Sequence, residues 1–118
     1  MTLFSFQSHQ SLWLRIVSII MPCHHCRALI GPSVLDCDKA NLAQECQRTI
    51  DAGADYIHLD VMDGNFVPNL TFGPPVIKSL RKALGDGPVF DAHLMIANAE
   101  SCFQDYIDAG CNHLSVHV

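Results

Sequence analysis

Apolar and polar positions along this chain alternate with two periods in turn. The segment Ile30-Gly31-Pro32-Ser33-Val34-Leu35 is short and apolar, as a strand would be, and ends at Asp36 and Asp38, either of which can cap a following helix. Leu42, Cys46 and Ile50 then recur at helical spacing until Gly53 stops the run. A second strand is expected over Tyr56 to Val61. Pro74 and Pro75 open a second helix that turns Ile77, Leu80 and Leu84 to one side, and Gly85 closes it. A third strand is expected over roughly Val89 to Ile96, and a third helix after Asn98 that buries Phe103, Tyr106 and Ile107 before Gly110. His113 to Val118 reads as a fourth strand.

An internal repeat supports this order. Ile50-Asp51-Ala52-Gly53-Ala54-Asp55 returns as Ile107-Asp108-Ala109-Gly110-Cys111-Asn112, an offset of 57 residues, and each copy ends a helix and opens a strand. Two strand–helix units per offset give about 28 residues each, close to the ~31 expected when a barrel of about 250 residues is divided among eight units. Strands that alternate with helices demand a parallel sheet with right-handed crossovers. A doubly wound nucleotide-binding sheet is disfavoured, because no Gly-rich phosphate loop follows the first strand. The expected class is therefore α/β: the first four strands and three helices of a (β/α)8 barrel, a half-barrel over residues 29–118, preceded by an extension at 1–28.

Composition narrows the function. The chain has 118 residues, enough for one core and short for two, and a net charge of −5 without a basic block, which argues against nucleic acid as a partner. No apolar run is long enough to span a membrane. Cys37, Cys46, Cys102 and Cys111 fall within apolar patterns and read as reduced thiols, which suggests a cytoplasmic protein. Residues 1–28 lack acidic groups, carry Arg15 and Arg27 and hold an apolar stretch from Leu12 to Met21. A start at Met21 after an upstream extension explains them better than organelle targeting, since a single Arg precedes that Met. Cys23-His24-His25-Cys26 resembles a metal or redox motif, but four adjacent residues do not wrap an ion tetrahedrally and no second pair follows at finger spacing. Asn69-Leu70-Thr71 matches a glycosylation acceptor without a secretory signal to support it.

The chemistry lies in the strand alternation. Tyr56, His58 and Asp60 point to one face and Ile57, Leu59 and Val61 to the other; the apolar set suits the layer under the helices. An imidazole and a carboxylate are then left on the inner face, where charge is costly unless it is paired or holds a metal. Asp60 also stands near the carboxyl end of its strand, where barrel enzymes place their sites. Asp91, His93 and Met95 share a face of the third strand, and His113, Ser115 and His117 a face of the fourth. A single inward His is ordinarily a satisfied core residue, and a buried His–Asp hydrogen bond explains part of the pattern. Yet His58, Asp60 and His93 together form a mixed N/O set that suits a divalent metal. Ser33 faces inward on the first strand as a substrate contact or a self-satisfied hydroxyl. The long stretch from Met62 to Pro75 suits a lid or binding loop as well as a packing loop.

At these residues the chain resembles ribulose-phosphate 3-epimerase. Ile30-Gly31-Pro32-Ser33, the block from Gly53 to Gly64, Phe66-Val67-Pro68-Asn69 and Asp91-Ala92-His93-Leu94-Met95 carry the likeness, which runs over roughly residues 29–118. The family is a (β/α)8 barrel that interconverts D-ribulose 5-phosphate and D-xylulose 5-phosphate in the pentose phosphate pathway, uses one divalent metal (Zn, Fe, Mn or Co) and is commonly homo-oligomeric. The resemblance implies metal ligands at His58, Asp60 and His93, a catalytic base at Asp60, and contacts to the pentulose 5-phosphate substrate from Ser33, Met62, Met95 and His117. Asn65 stands where many members have His, and Ala99 where Pro is common. It further implies that the family's fourth ligand and second acid/base, an Asp on a late strand, and its phosphate-binding loops fall beyond Val118. The chain alone is then expected to be a truncated, weakly active or inactive form. Alternatives are a non-catalytic partner or regulator of a longer enzyme, and a hexulose-phosphate 3-epimerase.

Overall fold

Three parallel strands carry the helices on one of their faces. They are β1 (Ile57–Met62), β2 (Phe90–Met95) and β3 (His113–Val116), in the order β1-β2-β3. Between them run α1 (Leu42–Asp51), α2 (Pro74–Leu84) and α3 (Phe103–Asp108), the first and last entered through short 3-10 turns at Lys39–Asn41 and Ala99–Cys102. The computed structural model describes residues 27–117; the Leu12 to Met21 stretch, Cys23-His24-His25-Cys26 and Val118 lie outside the described residues.

The expected alternation is the one that packs. Ile57, Leu59, Val61, Phe90, Ala92 and Leu94 are all buried against the helices, where Leu42, Cys46, Ile77, Leu80, Tyr106 and Ala109 meet them. Burying a Leu, Ile or Phe side chain stabilises by about 1.5–3 kcal/mol each, so this single layer dominates the stability of the described fold. Asp38 caps the first 3-10 turn by accepting from the Ala40 N–H, and Pro74 occupies the first position of α2, where a missing N–H costs nothing.

The repeat is a repeated helix stop. In the first copy the Gly53 N–H bonds to Ile50 O and the Ala54 N–H to Thr49 O; in the second, Gly110 bonds to Ile107 O and Cys111 to Tyr106 O. Both glycines sit at positive φ, +96° and +103°, as this helix ending requires. The residue that follows then ties the next strand to the previous one. The Asp55 N–H reaches Ile30 O while its carboxylate accepts from the Ile30 N–H, and Asn112 does the same with the Phe90 O and N–H.

Two expectations need correction. Ile30 to Leu35 forms no extended strand: it runs beside β1 and makes a single parallel bridge, Ser33 to His58. Backbone bonds flank that bridge, from Asp55 N to Ile30 O, His58 N to Pro32 O and Val34 N to His58 O. Pro32 has no N–H to offer Tyr56 O, so the ladder does not extend from Ser33 toward the amino end. Gly31 instead lets the Tyr56 ring lie on the backbone, where an added Cβ would fall 1.9 Å from a ring carbon. The sheet thus has three strands, with this segment alongside as a fourth, incompletely paired position. The second correction is Ile107, which is 51% exposed. The packed side of α3 is Phe103 and Tyr106, flanked by Cys102 and Ala109 at its two caps, and Ile107 falls on its outer margin.

Candidate metal and proton-transfer site

Register turns the inward residues of separate strands into rows. His58 pairs with Asp91, Asp60 with His93, and Met62 with Met95, while Asp91 lies opposite His113 and His93 opposite Ser115. Side chains paired across parallel strands point to the same face, so the inner face carries a His/Asp row, then an Asp/His row, then a methionine pair toward the carboxyl ends.

Asp60 is the centre of this face. It is the one buried charged residue among those described, at 8% exposure. The Ser33 hydroxyl donates to its Oδ2 at 2.5 Å, and His93 Nδ1 stands 3.1 Å from its Oδ1. His58 Nε2 lies 3.3 Å from the same Oδ1, while His58 Nδ1 lies 2.8 Å from Asp91 Oδ2. His93 Nε2 in turn meets His117 Nε2 at 2.8 Å, and their rings stack with centroids 5.0 Å apart. A continuous polar chain therefore runs Asp91, His58, Asp60, His93, His117. Burial by itself would push the Asp60 carboxyl up; bonds from Ser33 and His93 and the two nearby imidazoles outweigh it and hold the group below the usual carboxylate range. Asp60 is thus kept ionised.

The loop after β1 is anchored at this centre. The Thr71 hydroxyl donates to Asp60 O at 2.7 Å and accepts from the Met62 N–H at 2.9 Å, and the Thr71 N–H bonds to Met62 O. Asp63 accepts from the Asn65 and Phe66 N–H groups through Oδ1 and from the Ala97 N–H through Oδ2, each at 2.8 Å. These bonds join the loop to the end of β2. They also carry Phe66 to within 5.2 Å of the His117 ring, at the rim of the polar chain.

His58, Asp60 and His93 each offer one ligand atom, all within 4.8 Å of one another, and could hold a metal ion. The donor chemistry fits: two imidazoles and a carboxylate are a borderline-hard set acceptable to several divalent metals. The structure brings Ser33 and His117 against the ends of this cluster, and sets Met62 and Met95 in the adjoining row. Asp91 and Thr71 are the contacts of this cluster that sequence alone leaves without a role. Asp91 was visible as an inward residue, but the choice of His58 as its partner depends on register; nothing in the sequence distinguishes Thr71 from an ordinary loop residue. A cavity of about 290 Å³ lies elsewhere, at the amino ends of β1 and β2 between Gln47, Tyr56, Leu84 and Val89. Its single carboxylate, Asp55, is already bound to Arg27 and the Ile30 N–H.

Residues 29–118 match the model of the ribulose-phosphate 3 epimerase family. Among curated proteins the chain is 44% identical over 100 residues to ribulose-phosphate 3-epimerase of Eremothecium gossypii, covering 77% of this chain and 42% of that protein. It is 46% identical over 89 residues to the enzyme of that name from Rhodobacter capsulatus, covering 75% and 38%. It is 46% identical over 91 residues to the cytoplasmic isoform from Oryza sativa subsp. japonica, covering 77% and 39%. The chain spans about two fifths of the length of these relatives. No helix among the described residues is long and apolar enough to cross a membrane. A match that begins just ahead of the Ser33 segment and continues through all three strands, with identities above 40% in these relatives, makes this chain a member of the ribulose-phosphate 3 epimerase family, whose fold is the (β/α)8 barrel.

Proposed function

We propose that this chain supplies one half of a proton-transfer site that epimerises carbon 3 of a pentulose 5-phosphate, interconverting D-ribulose 5-phosphate and D-xylulose 5-phosphate. The observation that carries the reading is the meeting of His58, Asp60 and His93 within 4.8 Å on the inner face of a parallel sheet. Epimerisation next to a carbonyl removes a proton from one face of the carbon and returns one to the other. Asp60 is the base for the first face: it is ionised, and the Ser33 donor on Oδ2 and the His93 imidazole on Oδ1 fix its orientation. His58, Asp60 and His93 would hold a divalent ion. When bound, it would supply electrostatic stabilisation of the negative charge that develops on the substrate oxygens. Ser33, Met62, Met95 and His117 are the substrate contacts, with the methionine pair as an apolar wall and Phe66 at the rim.

Two measurements test this. Calorimetric titration of the chain with Mn²⁺ or Zn²⁺ should show divalent binding that is lost in an Asp60→Asn, His93→Ala double variant; unchanged affinity would sink the metal site. In the chain joined to the carboxyl-terminal half of a family member, Asp60→Asn should lower turnover of ribulose 5-phosphate by about 10²–10⁴, the usual contribution of a general base. A marked preference of the joined chain for a six-carbon ketose phosphate would overturn the pentulose assignment.

A further inference from the structure

Neutral imidazole carries one N–H, and the surroundings of His58 determine which nitrogen holds it. Nδ1 has a hydrogen-bonding partner, Asp91 Oδ2 at 2.8 Å; Nε2 faces Asp60 Oδ1 at 3.3 Å, an ion-pair distance that makes no hydrogen bond. An ionised carboxylate only accepts, so the Asp91 contact places the proton on Nδ1. The Nε2 lone pair is then directed toward another acceptor, Asp60 Oδ1. Two acceptors facing each other repel unless a cation lies between them. Asp91 is held in place for this contact: it stands directly opposite His58 in the β1–β2 register, its side chain is 14% exposed, and no hydrogen bond joins it to its other neighbour, His113, among the described residues.

We infer that Asp91 is a positioning residue, which fixes His58 as the Nδ1–H tautomer and so presents Nε2 as the metal-binding atom of the site. It touches neither substrate nor the reacting carbon, and acts only through His58. The inference rests on the metal reading above but is separable from it, because the tautomer is a property of the metal-free chain. A carboxylate behind a ligating histidine ordinarily accounts for about 10–100-fold in metal affinity, by making the ligand more basic and fixing its ring.

The experiment is long-range ¹H–¹⁵N NMR of the His58 ring in the full metal-free chain near pH 8, which separates the two neutral tautomers and the imidazolium, paired with Zn²⁺ titration by calorimetry. The parent chain should show His58 as Nδ1–H. Asp91→Ala should shift it to Nε2–H and weaken Zn²⁺ by about 10–100-fold. Asp91→Asn, which keeps the shape and a carbonyl acceptor, should retain the Nδ1–H form with a smaller loss, and serves if the alanine variant fails to fold by circular dichroism. An Nε2–H tautomer of the neutral His58 ring in the parent would overturn the inference. So would Asp91→Ala that keeps both the tautomer and the affinity, or Asp91→Asn that loses as much affinity as Asp91→Ala. Should Zn²⁺ affinity prove independent of Asp60 and His93, the metal reading would fall, and the tautomer shift would still decide the role of Asp91.

Discussion

Asp63 shows how one side chain can couple two loops. Its carboxylate accepts from three backbone N–H groups, and these bonds, that from Ala97 first, hold it below the usual carboxylate range. A group whose folded pKa is depressed contributes stability that is present above its unfolded pKa and lost as pH falls through the folded value. The link between the β1 loop and the end of β2 should therefore be intact from neutral pH to below pH ~4, the ordinary carboxylate value, and loosen under stronger acid. Amide hydrogen exchange at Phe66 and Ala97 reads this directly. Their protection should fall on acidification in the parent chain, after correction for intrinsic exchange, and that acid dependence should vanish in Asp63→Asn. An unchanged acid profile in the variant would refute the coupling. At the same scale, Cys46 is fully buried, and burial pushes its thiol up to about 11. Its place is that of a small core hydrophobe, as its position in the apolar stripe of α1 suggested.

Among the elements, the two helix stops offer an internally controlled comparison. Gly53 and Gly110 have the same role and nearly the same φ, so replacing either by Ala should cost the left-handed penalty of about 1–2 kcal/mol. Their surroundings differ. A Cβ on Gly53 meets nothing within 4 Å, whereas one on Gly110 would lie 2.8 Å from Arg81 Cγ and 2.9 Å from its Nε. Arg81 cannot easily yield: its guanidinium lies 3.7 Å over the Phe90 ring and donates to Gly85 O, Pro88 O, Gly110 O and Asn112 Oδ1. Gly110→Ala should thus destabilise by at least about 1 kcal/mol more than Gly53→Ala, since at least one bond to a charged donor is lost. Urea unfolding of the two variants measures the difference, and equal midpoint shifts would mean that the Arg81 network contributes little.

For the molecule as a whole, the helices cover one face of the sheet, while the other, which carries the rows of His, Asp, Ser and Met, is only partly covered, its β3 residues His113 and Ser115 being exposed. The outer edge of β3 has no strand partner among the described residues, and Val116 on it is 39% exposed. Open edges and uncovered faces template pairing with further strands. The 118-residue chain by itself should accordingly self-associate in the micromolar range, where exposed edges drive aggregation, and Val116→Lys should reduce this by charging the edge. Sedimentation velocity across a concentration series decides it; a monomer throughout would show that the edge is adequately protected.

Sequence by itself determined what is local. The strand alternation of Ile57 to Met62, the Pro74 helix start and the paired stops at Gly53 and Gly110 each depend on periodicity or backbone conformation within a few residues, and all appear in the fold where the pattern places them. It also put His58, Asp60 and His93 on inward faces, since parity along a strand needs no partner. Tertiary structure decided what lies next to what. Parallel register sets Asp60 opposite His93 and Asp91 opposite His58, and a slip by one residue would leave every motif in place while removing the cluster. The same dependence on partners explains the two departures. Ile30 to Leu35 carries strand-like residues, but the ladder fails at Pro32 for want of an N–H, and Ile107 is apolar and correctly spaced, yet α3 turns Tyr106 and Ala109 to the sheet instead. Periodicity identifies an apolar stripe, and packing against neighbours settles which margin of it is buried.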